Sequence, residues 1–159
     1  AVHSIRKYVD KVIIVRPHNV YGPDMGDEHM IPQIIKKIKK SSKNFKKKKI
    51  NFKIQGSGNE TRAFTYIDDF VDGLVLLIKN NIKFGIFHIG NHRETKVINV
   101  VKKIIEILNL DGVIKKQKLL KGSVLRRCPN ISKLKALGFK NKINLDIGLK
   151  LTINWYLQN

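Results

Sequence analysis

The chain has 159 residues, 42% hydrophobic and 28% charged, and its 32 Lys and Arg against 12 Asp and Glu give a formal net charge of +20. That length and composition suit one globular domain with a real core and exclude a disordered tail or a comfortable pair of domains. Lys, Asn or Asp interrupts every apolar run well short of a membrane span, which excludes a membrane-crossing helix.

The opening stretch AVHSIRKYVDKVIIVRP does not read as a signal peptide, because its four apolar residues run into Arg16-Pro17 with no small-residue cleavage site. It begins with Ala rather than Met, which hints at a natural start upstream. Cys128 is the single cysteine, which rules out an internal disulfide and fits a reducing cytoplasm. The excess charge is overwhelmingly Lys, scattered among Ile and Asn, as an AT-rich coding sequence would produce. A nucleic-acid binder would cluster its charge and favour Arg for bidentate contacts, so nucleic acid is a rival partner and not the leading one. The dense run Lys46–Lys49 falls where a solvated loop is expected.

In chain order, Val12–Arg16 is a β-branched run ended by Pro17, the form of a buried strand. Residues 17–28 form a long loop rich in Pro, Gly, Asn and Asp, a length that often signals function. From His29 to about Ser42, Met30, Ile31, Ile34, Ile35 and Ile38 recur at helical spacing with lysines opposite. Ile50–Gln55 alternates like a strand, residues 56–59 turn, and Arg62–Ile67 is extended again. Asp68 or Asp69 then caps a helix running through Ile78. Gly85–Gly90 is a strand, Val97–Leu108 an amphipathic helix, Val113–Leu120 extended and Val124–Asn130 irregular. Ser132–Leu137 is a short helix stopped by Gly138. Asp146–Gln158 is the last helix, with Ile147, Leu151 and Trp155 at spacing four. Helices and strands alternate throughout, so the fold class is α/β or α+β.

Three segments carry a resemblance: RPHNVYGP from Arg16 to Pro23, RAFTYIDD from Arg62 to Asp69, and RRCPNISK from Arg126 to Lys133 followed by KALGF. In this order, with FGIFHIGN between the last two, they resemble the extended short-chain dehydrogenase/reductase family of NAD-dependent nucleotide-sugar epimerases and dehydratases. The resemblance implies the C-terminal part of a Rossmann-like doubly wound sheet plus the family's small substrate-binding α/β lobe. Residues of about 1–28 and 62–95 would belong to the NAD-binding domain, interleaved with a nucleotide-sugar lobe of about 29–61 and 96–159.

A diphosphate presents charge and planar oxygen faces that guanidinium groups match. Of six arginines in the chain, Arg62, Arg126 and Arg127 stand in these motifs. The resemblance implies that Arg62 and one of the pair Arg126 and Arg127 contact the diphosphate; otherwise Arg62 would pass for a surface residue. Pro17 and His18 follow the first strand, where doubly wound folds place ligands. By resemblance they lie beside the nicotinamide, while Asn19 bonds the sugar or phosphate; the plainer role for Asn19 is a turn residue. Gln55, with Lys53 beside it, would face the nucleotide base. Tyr21 reads as packing. The Gly56-Ser57-Gly58 turn is not a dinucleotide fingerprint, because an extended segment rather than a helix follows it.

The family's Gly-rich NAD turn and its Tyr-x-x-x-Lys proton-transfer pair occur nowhere in this sequence; Tyr8 precedes Lys11 at the wrong spacing. No catalytic residue is therefore assigned here, and residues 1–9 would be the end of the helix that carries that pair in relatives. Asn130 stands in place of the family's usual Asp, and Asp27 where relatives often have an aromatic residue. The expectation is the substrate-binding portion of a cytoplasmic, homodimeric, NAD-dependent nucleotide-sugar enzyme, inactive alone, with an unpartnered edge on the first strand. The alternative is a non-catalytic module that binds nucleotide sugars or another polyanion. No metal site is expected.

Overall fold

A computed structural model describes residues 8–159; the helix end expected over residues 1–9 lies almost wholly outside them. Nine strands and five helices alternate among the described residues. They gather around two apolar clusters.

The first cluster is built by helical and strand periodicity acting together. Helix α1 (Met30–Ser41) turns Ile31, Ile34, Ile35 and Ile38 to one side, each buried, while its lysines face solvent. Ser42 ends it: the hydroxyl donates to the Ile38 carbonyl at 2.8 Å and accepts from the Phe45 N–H at 3.0 Å. The chain then passes through three left-handed residues, Lys43, Asn44 and Phe45, and the exposed lysine run enters strand β3 (Lys49–Ile54). Ile50, Phe52 and Ile54 alternate inward from β3. Strand β8 (Asp111–Lys116) pairs with it in parallel, Ile50 opposite Gly112. Helix α3 (Val97–Ile107) covers the sheet with Val100, Val101, Ile104 and Ile105. Helix α5 (Leu145–Gln158) completes the cluster and is capped by the Asn144 side chain, which accepts from the Ile147 N–H at 2.9 Å.

Helix α5 corrects the expected stripe. Ile147 and Leu151 are exposed, and the buried side carries Gly148, Leu149, Thr152 and Ile153. The helix is apolar on several faces, so spacing alone does not choose among them. Gly148 chooses: a Cβ there would lie 2.1 Å from the Tyr21 hydroxyl, so this face alone lets the helix approach the tyrosine. Tyr21 is 2% exposed, and burial pushes its phenol well above the ordinary range. It packs, as expected.

The second cluster is smaller. Strand β1 (Val12–Pro17) pairs in parallel with β6 (Phe84–Ile89) along its full length, Ile14 opposite Ile86. Helix α2 (Ile67–Lys79) and the short α4 (Ser132–Ala136) pack Leu77 and Leu134 against Phe87 and Ile89. Gly138, at φ +94°, stops the chain after α4 as its position suggested. The expected aspartate cap on α2 is not made. The helix begins one turn earlier, with Tyr66 as N-cap and no side-chain bond. Asp69, 1% exposed, instead accepts the N–H groups of Lys142 at 2.8 Å and Ile143 at 3.2 Å. It clamps the loop into α5 onto α2.

Five short strands make two further small sheets. Strand β2 (Val20–Tyr21) lies inside the expected loop and pairs in parallel with β5 (Thr65–Tyr66). Strand β4 (Thr61–Ala63) is central in a three-stranded sheet, antiparallel to β7 (Glu94–Lys96) and parallel to β9 (Arg126–Arg127). The strand expected through Leu120 ends at Lys116, and the segment expected to be irregular contributes β9.

Candidate functional site

The pleat of the β4–β9 pair sorts the arginines. Arg62 is opposite Arg127 and Thr61 opposite Arg126, so Arg62 and Arg127 share one face of the sheet and Arg126 the other. On its face Arg126 is engaged: its Nε lies 3.0 and 3.1 Å from the Glu94 carboxylate oxygens and its Nη2 2.6 Å from one of them. Thr61 donates to the same carboxylate at 2.7 Å. Glu94 is held below the usual carboxylate range, first by the Arg126 hydrogen bonds and then by Thr61.

On the other face neither arginine forms an ion pair among the described residues. Arg62 is half-buried and donates to backbone carbonyls, at 2.7 Å to Thr61 and Val124 and at 3.3 Å to Leu125. Burial, and then the charge of Arg127, lower its pKa, while Glu60 opposes the shift. A cation made uneasy by a neighbouring cation is a site that gains from an anion.

Arg62 lines a cavity of about 220 Å³ with Gln55 and Lys53 from β3, Gln33 and Lys37 from α1, and Val97 and Val101 from α3. The structure therefore places Gln55 and Arg62 in the lining of one cavity. Glu60 lies in this wall, 6% exposed. Its carboxylate accepts the Ser57 N–H at 3.0 Å, the Ser57 hydroxyl at 3.0 Å and the Gly58 N–H at 2.8 Å. Burial alone would raise its pKa, but its own backbone N–H and those of Ser57 and Gly58 outweigh burial and hold it low. The Ser57 and Gly58 amide donors of the Gly56–Gly58 turn are thus spent on an internal carboxylate.

The end of β1 adjoins this site. Asn19 sits at φ +43° and donates from Nδ2 to the Ala63 carbonyl at 3.1 Å, while its own carbonyl accepts from the Thr65 N–H at 3.2 Å. It ties the loop to β4, one residue from Arg62, leaving Oδ1 without a partner among the described residues. Pro17 is exposed at the strand's carboxyl end. The His18 N–H donates to the Ile89 carbonyl at 3.0 Å, and its ring stacks on His88 with centroids 4.8 Å apart. Burial, then His88 and Arg16, lower the pKa of His18, which favours the neutral form of its ring. Sequence reading gave no weight to His88 because only the β1–β6 register, Arg16 opposite His88, brings it there. Glu94 meets Arg126 only through the pairing of β7 and β9 with β4. Among the described residues no cluster of His, Cys, Asp and Glu could hold a metal ion, and no helix is long and apolar enough to cross a membrane.

A mixed α/β fold built on parallel strand pairs places the chain in the Rossmann-like class. More specifically, the chain belongs to the NAD dependent epimerase/dehydratase family, whose profile matches residues 1–90. The human dTDP-D-glucose 4,6-dehydratase is 29% identical over 160 residues, covering 96% of this chain and 43% of that protein. A trifunctional UDP-glucose 4,6-dehydratase of Arabidopsis thaliana is 30% identical over 156 residues, covering 97% of this chain and 22% of that protein. The structure of UDP-glucose 4-epimerase from Thermotoga maritima with UDP-glucose superposes with a TM-score of 0.81 at 26% identity. That superposition covers 99% of this chain and 49% of the epimerase. The chain thus spans less than half the length of these relatives.

Proposed function

We propose that this chain is the nucleotide-sugar-binding portion of an NAD-dependent epimerase or dehydratase. The observation that carries this is the Arg62–Arg127 pair, two guanidinium groups on one sheet face that form no ion pair among the described residues, with Arg62 itself lining the Gln55 cavity. A diphosphate bridging two guanidinium forks relieves their repulsion and makes charge-assisted hydrogen bonds, with the base directed toward Gln55 and Lys53. Asn19 offers its open Oδ1 to a sugar hydroxyl. Of the family's transient oxidation of the sugar, NAD supplies the hydride acceptor. This chain's residues suited to it are Pro17 and His18, an exposed imide and a neutral, hydrogen-bonding ring at the nicotinamide end. The phosphates of NAD would lie on residues beyond this chain, since its only Gly-x-Gly turn is occupied by Glu60.

In this reading the residues around β1, β2, α2 and β6 (about 1–28 and 62–95) belong to a cofactor domain, and about 29–61 and 96–159 form the substrate lobe. The edge of β1 that pairs with no strand among the described residues would take the neighbouring strand of a cofactor half, in a soluble, cytoplasmic enzyme that pairs as a homodimer. The chain alone should show no turnover, because Tyr-x-x-x-Lys is absent from it.

Thermal denaturation with UDP-, dTDP- and GDP-sugars tests the reading. At least one should raise the melting temperature of the chain, and Arg62→Ala should remove the shift. A shift that survives Arg62→Ala, or turnover by the chain alone, would contradict it. The rival, binding of duplex nucleic acid by total charge, predicts affinity falling steeply with salt and indifferent to Arg62→Ala.

A further inference from the structure

A second basic feature lies apart from this site. A groove of about 740 Å³ opens between the turn after β6, helix α3 and the loop from α4 into α5. It shares no lining residue with the Arg62 cavity. Lys103 reaches it from the side of α3 facing away from Val97 and Val101, which line that cavity.

Arg93, Lys103, Lys135, Lys140 and Lys142 converge on the groove from four separate stretches of chain. Two of them are already neutralised. Lys103 contacts Asp146, the lining carboxylate, and Lys142 reaches out to Asp72 at 2.6 Å. Arg93, Lys135 and Lys140 have no carboxylate partner among the described residues. Their field is felt by His92 in the same wall, whose pKa is lowered by burial and then by Lys135 and Arg93. The α5 N-terminus opens at Asn144 and Leu145 along the same wall and adds its partial positive charge. Phe64 and Phe139 give the groove an apolar floor.

We propose that this groove is a second anion site, taking a small molecule that carries several phosphate groups. Three uncompensated cations stand on separate segments around a cavity of this volume, where a chain of phosphates offers more contacts than one tetrahedral ion. A chain of phosphates spans them and relieves their mutual repulsion. The concave form distinguishes the groove from the lysine run at Lys46–Lys49, which is exposed loop and strand edge and encloses nothing.

Calorimetric titration of the chain with inorganic tripolyphosphate, and separately with ATP, tests this. Arg93→Gln/Lys135→Gln/Lys140→Gln should weaken tripolyphosphate binding about tenfold or more. A control with the same loss of charge, Lys46→Gln/Lys47→Gln/Lys48→Gln, should change it less than about twofold. Arg62→Ala/Arg127→Ala should leave a groove-dependent binding event intact. All these side chains except Arg62 are exposed, so circular dichroism should confirm unchanged folding. Equal weakening by the groove variant and the control would reduce the effect to net charge and overturn the proposal, as would complete loss of binding in Arg62→Ala/Arg127→Ala. If the groove variant loses both probes, tighter binding of ATP than of tripolyphosphate identifies a nucleoside-borne phosphate over the phenylalanine floor, and equal binding a free polyphosphate.

Discussion

The two apolar clusters are built from the same residue types yet finished to different degrees. Around β3 and β8 three helices close the core, and Ile38, Val100, Val101, Ile104, Leu149 and Ile153 are fully buried. Around β1 and β6 one sheet face packs on α2 and α4. On the other face Phe84 and Ile86 are 41% and 39% exposed, and Val71, Val75 and Ile78 line an exposed side of α2. A parallel pair this apolar is normally covered on both faces. The β3–β8 core is covered by its helices, whereas the β1–β6 layer leaves apolar side chains exposed.

Truncation experiments should separate the two. Ile104→Ala, in the closed core, is expected to cost about 2–5 kcal/mol of unfolding free energy in a denaturant titration. Ile86→Ala, in the open layer, should cost under about 1 kcal/mol, because little packing is lost. Equal costs would erase the distinction. Gly148→Ala should cost about 1–3 kcal/mol by pushing α5 off Tyr21. Asp69→Ala should cost about 1–3 kcal/mol by leaving the Lys142 and Ile143 N–H groups without their acceptor, loosening the join between the clusters.

A smaller effect concerns pH. Glu60 has a lowered pKa in the folded chain, so its contribution is full above the unfolded carboxylate value and is lost as pH falls through the folded one. Thermal melts from pH 7 down to pH 3 should therefore decline less steeply for Glu60→Gln than for the wild-type chain. Parallel declines would show that the Ser57 and Gly58 bonds contribute nothing.

How much of this was legible in the sequence follows from what each signal encodes. Helix α1 and strand β3 could be read because their periodicity is also their burial pattern: Ile31, Ile34, Ile35 and Ile38 on one, Ile50, Phe52 and Ile54 on the other. Helix α5 could not, since several of its faces are apolar and Gly148 decides by contact with a residue far away in sequence. Local propensity suggested a cap at Asp69, but the carboxylate serves a loop more than 70 residues later. At the site, Arg62, Arg126 and Arg127 stand out by scarcity and motif. Which of the last two faces Arg62 is a matter of strand register, set by the β4–β9 pairing. Glu94, which engages Arg126, carries no local mark at all.

The central claim is that Arg62 and Arg127 together receive the diphosphate. Its most direct test is calorimetric titration with whichever of UDP, dTDP and GDP binds best, comparing Arg127→Ala with Arg126→Ala. Arg127→Ala should weaken binding about tenfold, and Arg126→Ala, whose side chain is held by Glu94 on the opposite face, should stay within about twofold. Equal weakening by the two, or the reverse order, would contradict the assignment.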